Sequence, residues 1–308
     1  MICVISTRLS DMKKLFFTFL TLLLASLTGR AEETLFPYPT VPEGIETLNE
    51  RANYAVSHFW DKFPFNRPIA DEELLGQAMY DYIMFLSLAD DQPAFDSVDK
   101  LLESLSKDPQ KLLTFGYIAQ DLCYVPSAPF LSDELYLRFA DAVAGNKKIK
   151  SADKSSFASH ITTIRQTRPG DKAPNLRFVK PDGSKTQLDD YYGKYIILFF
   201  NDPACSDCNL ARVRLSADIN INEHIKNEEL LIISVYPYAP DDTWRKAAER
   251  YNPAWLVVAS DKADEIYDLR NTPSIYYLNP SHKILSKEMT VDQMIDGFRN
   301  INTKKATE

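Results

Sequence analysis

The apolar run Tyr195-Ile196-Ile197-Leu198-Phe199-Phe200 is followed, after only four residues, by Cys205-Ser206-Asp207-Cys208. A continuous apolar run of this length fits a strand buried on both faces of a parallel or mixed sheet. From Cys205 to about Asn222 the pattern is helical, so the two cysteines sit where a buried strand hands over to a helix. At that junction the first cysteine meets unpaired backbone N–H groups and the positive end of the helix dipole, both of which favour its thiolate. Two intervening residues place the second cysteine about one turn along, where it can resolve a mixed disulfide on the first. Cys205 is therefore expected as the nucleophile and Cys208 as the resolving thiol. Asp207, lying between them, is expected to disfavour a nearby thiolate and move the pair away from the strongly oxidising extreme.

Other uses of the pair fit less well. A zinc site needs two more ligands, and His58, His160, His224 and His282 have no zinc-knuckle spacing, so no metal is expected. A purely structural disulfide at this spacing would close a very small loop with little entropic benefit.

The pattern around the pair is that of an α/β unit. Leu176–Lys180 and Lys185–Leu188 flank the turn Pro181-Asp182-Gly183-Ser184 and read as a hairpin. Strands are then expected at Leu230–Tyr236 and Ala254–Ala259, with a closing strand pair at Ser274–Leu278 and Lys283–Leu285. Helices are expected at Asp241–Tyr251, Asp261–Leu269 and Val291–Ile301. Strands alternating with helices and ending in a hairpin give a mixed central sheet flanked by helices.

Upstream the periodicity is helical. The stretches Asn49–Phe63, Phe95–Ser106, Pro109–Asp121 and Ser132–Gly145 carry it, as does the run capped by Asp71, and a short helix is expected up to Ile164. Five or six helices are expected in this separate all-α domain. Tyr38, Tyr54, Phe59 and Trp60 are expected in its core rather than in a partner groove, and His224, further on, is expected exposed or capping a helix. Composition shifts near 167, giving residues 1–31 as a targeting segment, 32–166 as the helical domain and 167–308 as the α/β domain.

The targeting segment is read from Met12-Lys13-Lys14, the apolar run from Leu15 to Ala25, and a cleavage position after Ala31. This predicts export to the periplasm, an oxidising compartment in which cysteines are paired or catalytic. Of the four cysteines, Cys3 lies in the segment to be removed, leaving Cys123 beside the pair as a buried, inert thiol. The net charge of −8, without any basic run, argues against a nucleic-acid partner.

Residues 168–308 resemble the TlpA-like branch of the thioredoxin superfamily, which borders the peroxiredoxins. The likeness rests on Pro169-Gly170-Asp171-Lys172-Ala173-Pro174, Asp182-Gly183, Leu188, Gly193-Lys194, the strand, the cysteine pair and Thr272-Pro273. Residues 34–165 are similar to a helical domain of unknown function that precedes such domains in exported bacterial proteins, with Phe59-Trp60-Asp61-Lys62-Phe63 the recognisable stretch. The resemblance implies a thioredoxin-like fold and a cis Pro273 lying against the cysteines. It also implies that the backbone of Thr272 binds an incoming cysteine-containing chain.

Two positions depart from the family pattern. Ala204 replaces the usual Trp before the first cysteine, and Phe199 replaces the buried polar or acidic residue six positions before it. The expected activity is that of a periplasmic thiol-disulfide oxidoreductase, needing no cofactor, that reduces or isomerises disulfides of exported proteins. Its partners would be cysteine-containing exported proteins and an upstream membrane electron donor. A non-catalytic scaffold built on the same fold is the alternative, and a thiol peroxidase a further one.

Overall fold

The computed structural model describes residues 34–305. The targeting segment and Cys3 lie outside these residues. Among the described residues no helix is long and apolar enough to cross a membrane.

Among the described residues, six helices form the N-terminal unit: α1 (Leu48–His58), α2 (Glu72–Leu86), α3 (Asp91–Leu105), α4 (Pro109–Cys123), α5 (Asp133–Gly145) and α6 (Ser151–Gln166). Four of them start on a side-chain cap, supplied by Thr47, Asp71, Asp108 and Ser132, each accepting from an amide of the first turn. Expected to reach Phe63, α1 instead ends at His58. The chain continues through turns closed by Asp61 N–H to His58 O and Phe63 N–H to Trp60 O, and Pro64 follows. The aromatic spacing that suggested a longer helix comes from packing. Phe59, Trp60 and Phe63 are buried with Phe36, the Phe59–Trp60 centroids 5.0 Å and the Phe36–Phe63 centroids 5.4 Å apart. The last helix, expected to be short, has 16 residues.

The C-terminal unit contains β1 (Arg177–Val179), β2 (Lys185–Gln187), β3 (Tyr195–Phe200), α7 (Ser206–Ala217), α8 (Ile219–Lys226), β4 (Leu230–Tyr236), α9 (Asp242–Ala248), β5 (Leu256–Ala259), α10 (Ala263–Ile266), β6 (Ser274–Leu278), β7 (Ile284–Lys287) and α11 (Val291–Lys305). The strands form one mixed sheet in the order β2-β1-β5-β4-β3-β6-β7. β3 runs parallel to β4 (Ile197 opposite Ile232) and antiparallel to β6 (Ile197 opposite Tyr277). Side chains along β3 alternate between two cores. Ile196, Leu198 and Phe200 pack with Val235, Tyr267 and Tyr276, while Ile197 and Phe199 pack with Leu215, Trp255 and Phe298. The hairpin turn places Gly183 at φ 83°, a conformation that favours glycine.

The single helix expected from Cys205 to Asn222 is two. Asp218 ends α7 and caps α8, its carboxylate accepting from Ile221 N–H at 2.9 Å. Expected exposed or capping, His224 is instead buried. Its Nδ1 lies 2.5 Å from Glu229 and its ring 5.1 Å from that of Phe298.

The two units meet on the face of the sheet that carries Tyr276. There α10 packs against α6, and Tyr124 OH of the helical unit donates to Asp268 Oδ1 at 2.9 Å.

Candidate active site

β3 delivers the chain through Asn201-Asp202-Pro203-Ala204 to Cys205, which is the N-cap of α7. Its backbone is extended, and its sulfur accepts a hydrogen bond from Cys208 N–H at 3.2 Å. A cysteine thus fills the role usually taken by Ser, Thr or Asp, and one of the orphan amides of the first turn points at its sulfur. That amide and the positive end of the helix dipole are both directed at Sγ.

Cys208 lies one turn further on and is 1% exposed. Burial, reinforced by the Cys205 sulfur beside it and by the charge of Asp202, pushes its thiol up to about 12. The two thiols therefore differ in kind. One is half-buried at a helix end, and the other is buried and strongly held as the neutral form. Both are free thiols in this structure, as is Cys123, which is fully buried and pushed up to about 12 by that burial.

The loop between α10 and β6 closes over this pair. Thr272–Pro273 is a cis peptide, and the carbonyl of Thr272 lies 4.0 Å from Cys205 Sγ. The Cys205–Cys208 and Thr272–Pro273 pairs, more than sixty residues apart in sequence, are thus brought into one place. Asp207 sits in the first turn of α7 and is exposed. It lines a cleft of about 300 Å³ with Leu210, Asn271, Pro273, Met289 and Val291.

Phe199 is buried, and the carboxylate whose charge reaches Cys208 is that of Asp202, in the loop ahead of the pair. A neutral polar network lies nearby. Tyr251 OH donates to Asn201 Oδ1 at 2.6 Å, and Asn201 Nδ2 donates to Ser234 Oγ and Phe199 O, each at 2.8 Å. The lone Asn at the end of an apolar strand was the one sign of this network in the sequence.

A second group had no such sign. Arg270, two residues before Thr272, is almost fully buried among Asp268, Asp133 and Glu288, with Lys287 beside it. The carboxylates of Asp133, Asp268 and Glu288 converge closely enough to suggest a metal site, but the cations of Arg270 and Lys287 already lie among them.

Residues 22–167 match the profile of a domain of unknown function, DUF5106. A thioredoxin-like protein from Bacteroides caccae superposes with a TM-score of 0.70 at 24% identity, covering 87% of this chain and 99% of that one. The C-terminal domain of an uncharacterized protein from Bacteroides fragilis is 28% identical, covering 44% of this chain and 99% of that one, with a TM-score of 0.42. The thioredoxin domain of a thiol-disulfide oxidoreductase from Bacteroides vulgatus is 24% identical, covering 44% of this chain and 97% of that one, with a TM-score of 0.37. No curated protein matches.

Proposed function

This chain is a thioredoxin-fold protein whose α/β domain follows a DUF5106 region, and on that premise we propose that it is an exported, TlpA-like thiol-disulfide oxidoreductase. Cys205 is its nucleophile and Cys208 its resolving thiol. The observation that carries the proposal is the placement of Cys205 Sγ. It caps α7, accepts the Cys208 amide at 3.2 Å, and lies 4.0 Å from the Thr272 carbonyl ahead of the cis proline.

The Cys205 thiolate attacks one sulfur of a substrate disulfide. The substrate S–S bond breaks, its other sulfur leaves as a thiolate and takes a proton, and a mixed disulfide forms on Cys205. Cys208 then loses its proton and attacks Cys205 Sγ, releasing the substrate as a dithiol and leaving a Cys205–Cys208 disulfide. Two electrons pass to the substrate, and an upstream membrane dithiol donor restores the pair. Substrates are cysteine-containing exported proteins, held by the backbone of Thr272 beside Pro273. With its thiol pushed up to about 12 by burial and by the Cys205 sulfur beside it, Cys208 makes the second step the slow one.

Cys208→Ser should trap a mixed disulfide with substrate, and Cys205→Ser should abolish reduction of a peptide disulfide. Full reductase activity in Cys205→Ser overturns the assignment.

A further inference from the structure

The loop that carries Thr272 and Pro273 is gripped from outside its own domain. Arg270 Nη2 donates to Asp133 Oδ1 at 2.6 Å, and Asp133 stands in the first turn of α5, in the helical unit. The Arg270 guanidinium also lies 4.0 Å over the ring of Tyr124, just past the end of α4, and its Nη1 donates to Tyr124 O at 3.3 Å. Tyr124 OH in turn donates to Asp268 Oδ1 at 2.9 Å. Tyr124 is itself fixed, stacked on Tyr136 with centroids 4.5 Å apart, and Tyr136 OH meets His160 Nδ1 at 2.7 Å. On the other side Lys287 of β7 reaches Asp133 at 2.7 Å and Asp268 at 3.0 Å.

Arg270 therefore carries two sets of contacts. One runs within its own domain to Asp268 and Glu288, and the other to the helical unit. Planar, multidentate guanidinium contacts fix orientation as well as distance. Only Asn271 separates Arg270 from Thr272. Held at both ends, by this cluster before it and by β6 after it, the Thr272 carbonyl is kept opposite Cys205. The same cluster reaches the cleft beside the cysteines through Glu288 and Asn271, which line it.

We propose that Arg270 is a positioning residue, and that the helical unit, acting through Asp133 and Tyr124, braces the Thr272–Pro273 loop for polypeptide substrates. The brace touches neither sulfur. It governs how a chain is seated along the backbone of Thr272, and a small disulfide that does not use that backbone is indifferent to it. The substrate half of this inference rests on the oxidoreductase proposal, while the mechanical half does not.

The test uses Asp133→Asn and Tyr124→Phe in the full mature chain. These are conservative changes that keep volume, and Asp133→Glu serves as the rescue variant. Two readouts are taken on folded protein. Hydrogen–deuterium exchange over 269–276 should quicken in both variants, with β3 and β4 unchanged. KM for a cysteine-bridged peptide should rise about tenfold, as a displaced loop of about 1 Å allows, with KM for 2-hydroxyethyl disulfide unmoved and kcat little changed. Asp133→Glu should restore part of the peptide KM. Equal effects on peptide and small disulfide would mean a merely structural role and overturn the proposal. So would unchanged exchange over 269–276. If the wild type reduces neither substrate, the oxidoreductase proposal fails, and exchange over the loop still decides the brace.

Discussion

Replacing Arg270 with Met keeps most of the side-chain volume and removes the guanidinium from a site where it is 3% exposed. Its loss leaves three carboxylates, Asp133, Asp268 and Glu288, with Lys287 as the one remaining cation of the cluster. Asp268 is the costly member, since its side chain is fully buried and accepts from Tyr124, Arg270 and Lys287. Removing one partner of a buried ion pair typically costs about 3–5 kcal/mol, because the other charge is stranded. Lys287 lies 3.0 Å from Asp268 and offsets part of this, so a loss of about 3 kcal/mol is expected. Urea unfolding followed by far-ultraviolet circular dichroism reads the change directly. Tryptophan fluorescence reports both units, through Trp60 in one and Trp244 and Trp255 in the other. Arg270→Met/Asp268→Leu should recover at least half of the loss, because the fully buried carboxylate goes with its cation and Lys287 is left to the more exposed Asp133 and Glu288. A single variant within 1 kcal/mol of wild type, or a double variant less stable than the single, would refute the view that the cluster is a buried, mutually dependent unit.

Three further outcomes follow from the geometry. Iodoacetamide at pH 8 should alkylate Cys205 alone in the reduced native protein, since burial pushes both Cys208 and Cys123 up to about 12; a second adduct before unfolding, seen by mass spectrometry, would contradict this. Gly116→Ala gains about 1 kcal/mol of helix propensity, but its Cβ would lie 2.7 Å from Val143 Cγ2 and 3.3 Å from the Phe157 ring. A net loss of about 1–2 kcal/mol in thermal unfolding is expected, and no loss would mean that α4 can shift. Burial raises Asp268, but hydrogen bonds and charge from Arg270 and Lys287 outweigh it and hold the carboxyl below its usual range. The stability it contributes is therefore complete above the ordinary carboxylate value and is lost as pH falls through the depressed one. Glu288, raised by burial, acts in the opposite sense: its contribution is present at low pH and is lost as pH rises through the raised value. Asp268→Asn should flatten the acid limb of the urea midpoint against pH, and an unchanged limb would place the acid sensitivity elsewhere.

What the sequence revealed and what it hid divide along a physical line. β3, β4 and β6 were legible to the residue because each is a buried strand between polar breaks, a signal that depends on neighbours in the chain. The position of the cysteine pair was legible for the same reason, since the strand-to-helix junction is written in the fourteen residues from Tyr195 to Cys208. α1 was misjudged because burial of Phe59 and Trp60 comes from a turning chain as readily as from a helix face. His224 was misjudged because its partner, Glu229, and the covering ring of Phe298 are set by tertiary packing. Arg270 is the extreme case: its partner Asp133 is 137 residues away, and nothing local marks either as buried. Local chemistry is legible in one sequence, whereas charge pairs across units become visible only when the fold brings them together.

The central claim is that Cys205 and Cys208 exchange electrons as a pair. Equilibrating the mature protein against defined dithiol buffers, with the fraction oxidised read by mass spectrometry after acid quenching, tests it directly. The predicted result is one reversible two-electron transition. It needs both cysteines and lies nearer the thioredoxin end of the scale, about −270 mV, than the oxidant end, about −120 mV. A pair that does not exchange, or a transition that survives Cys205→Ser, would contradict the account.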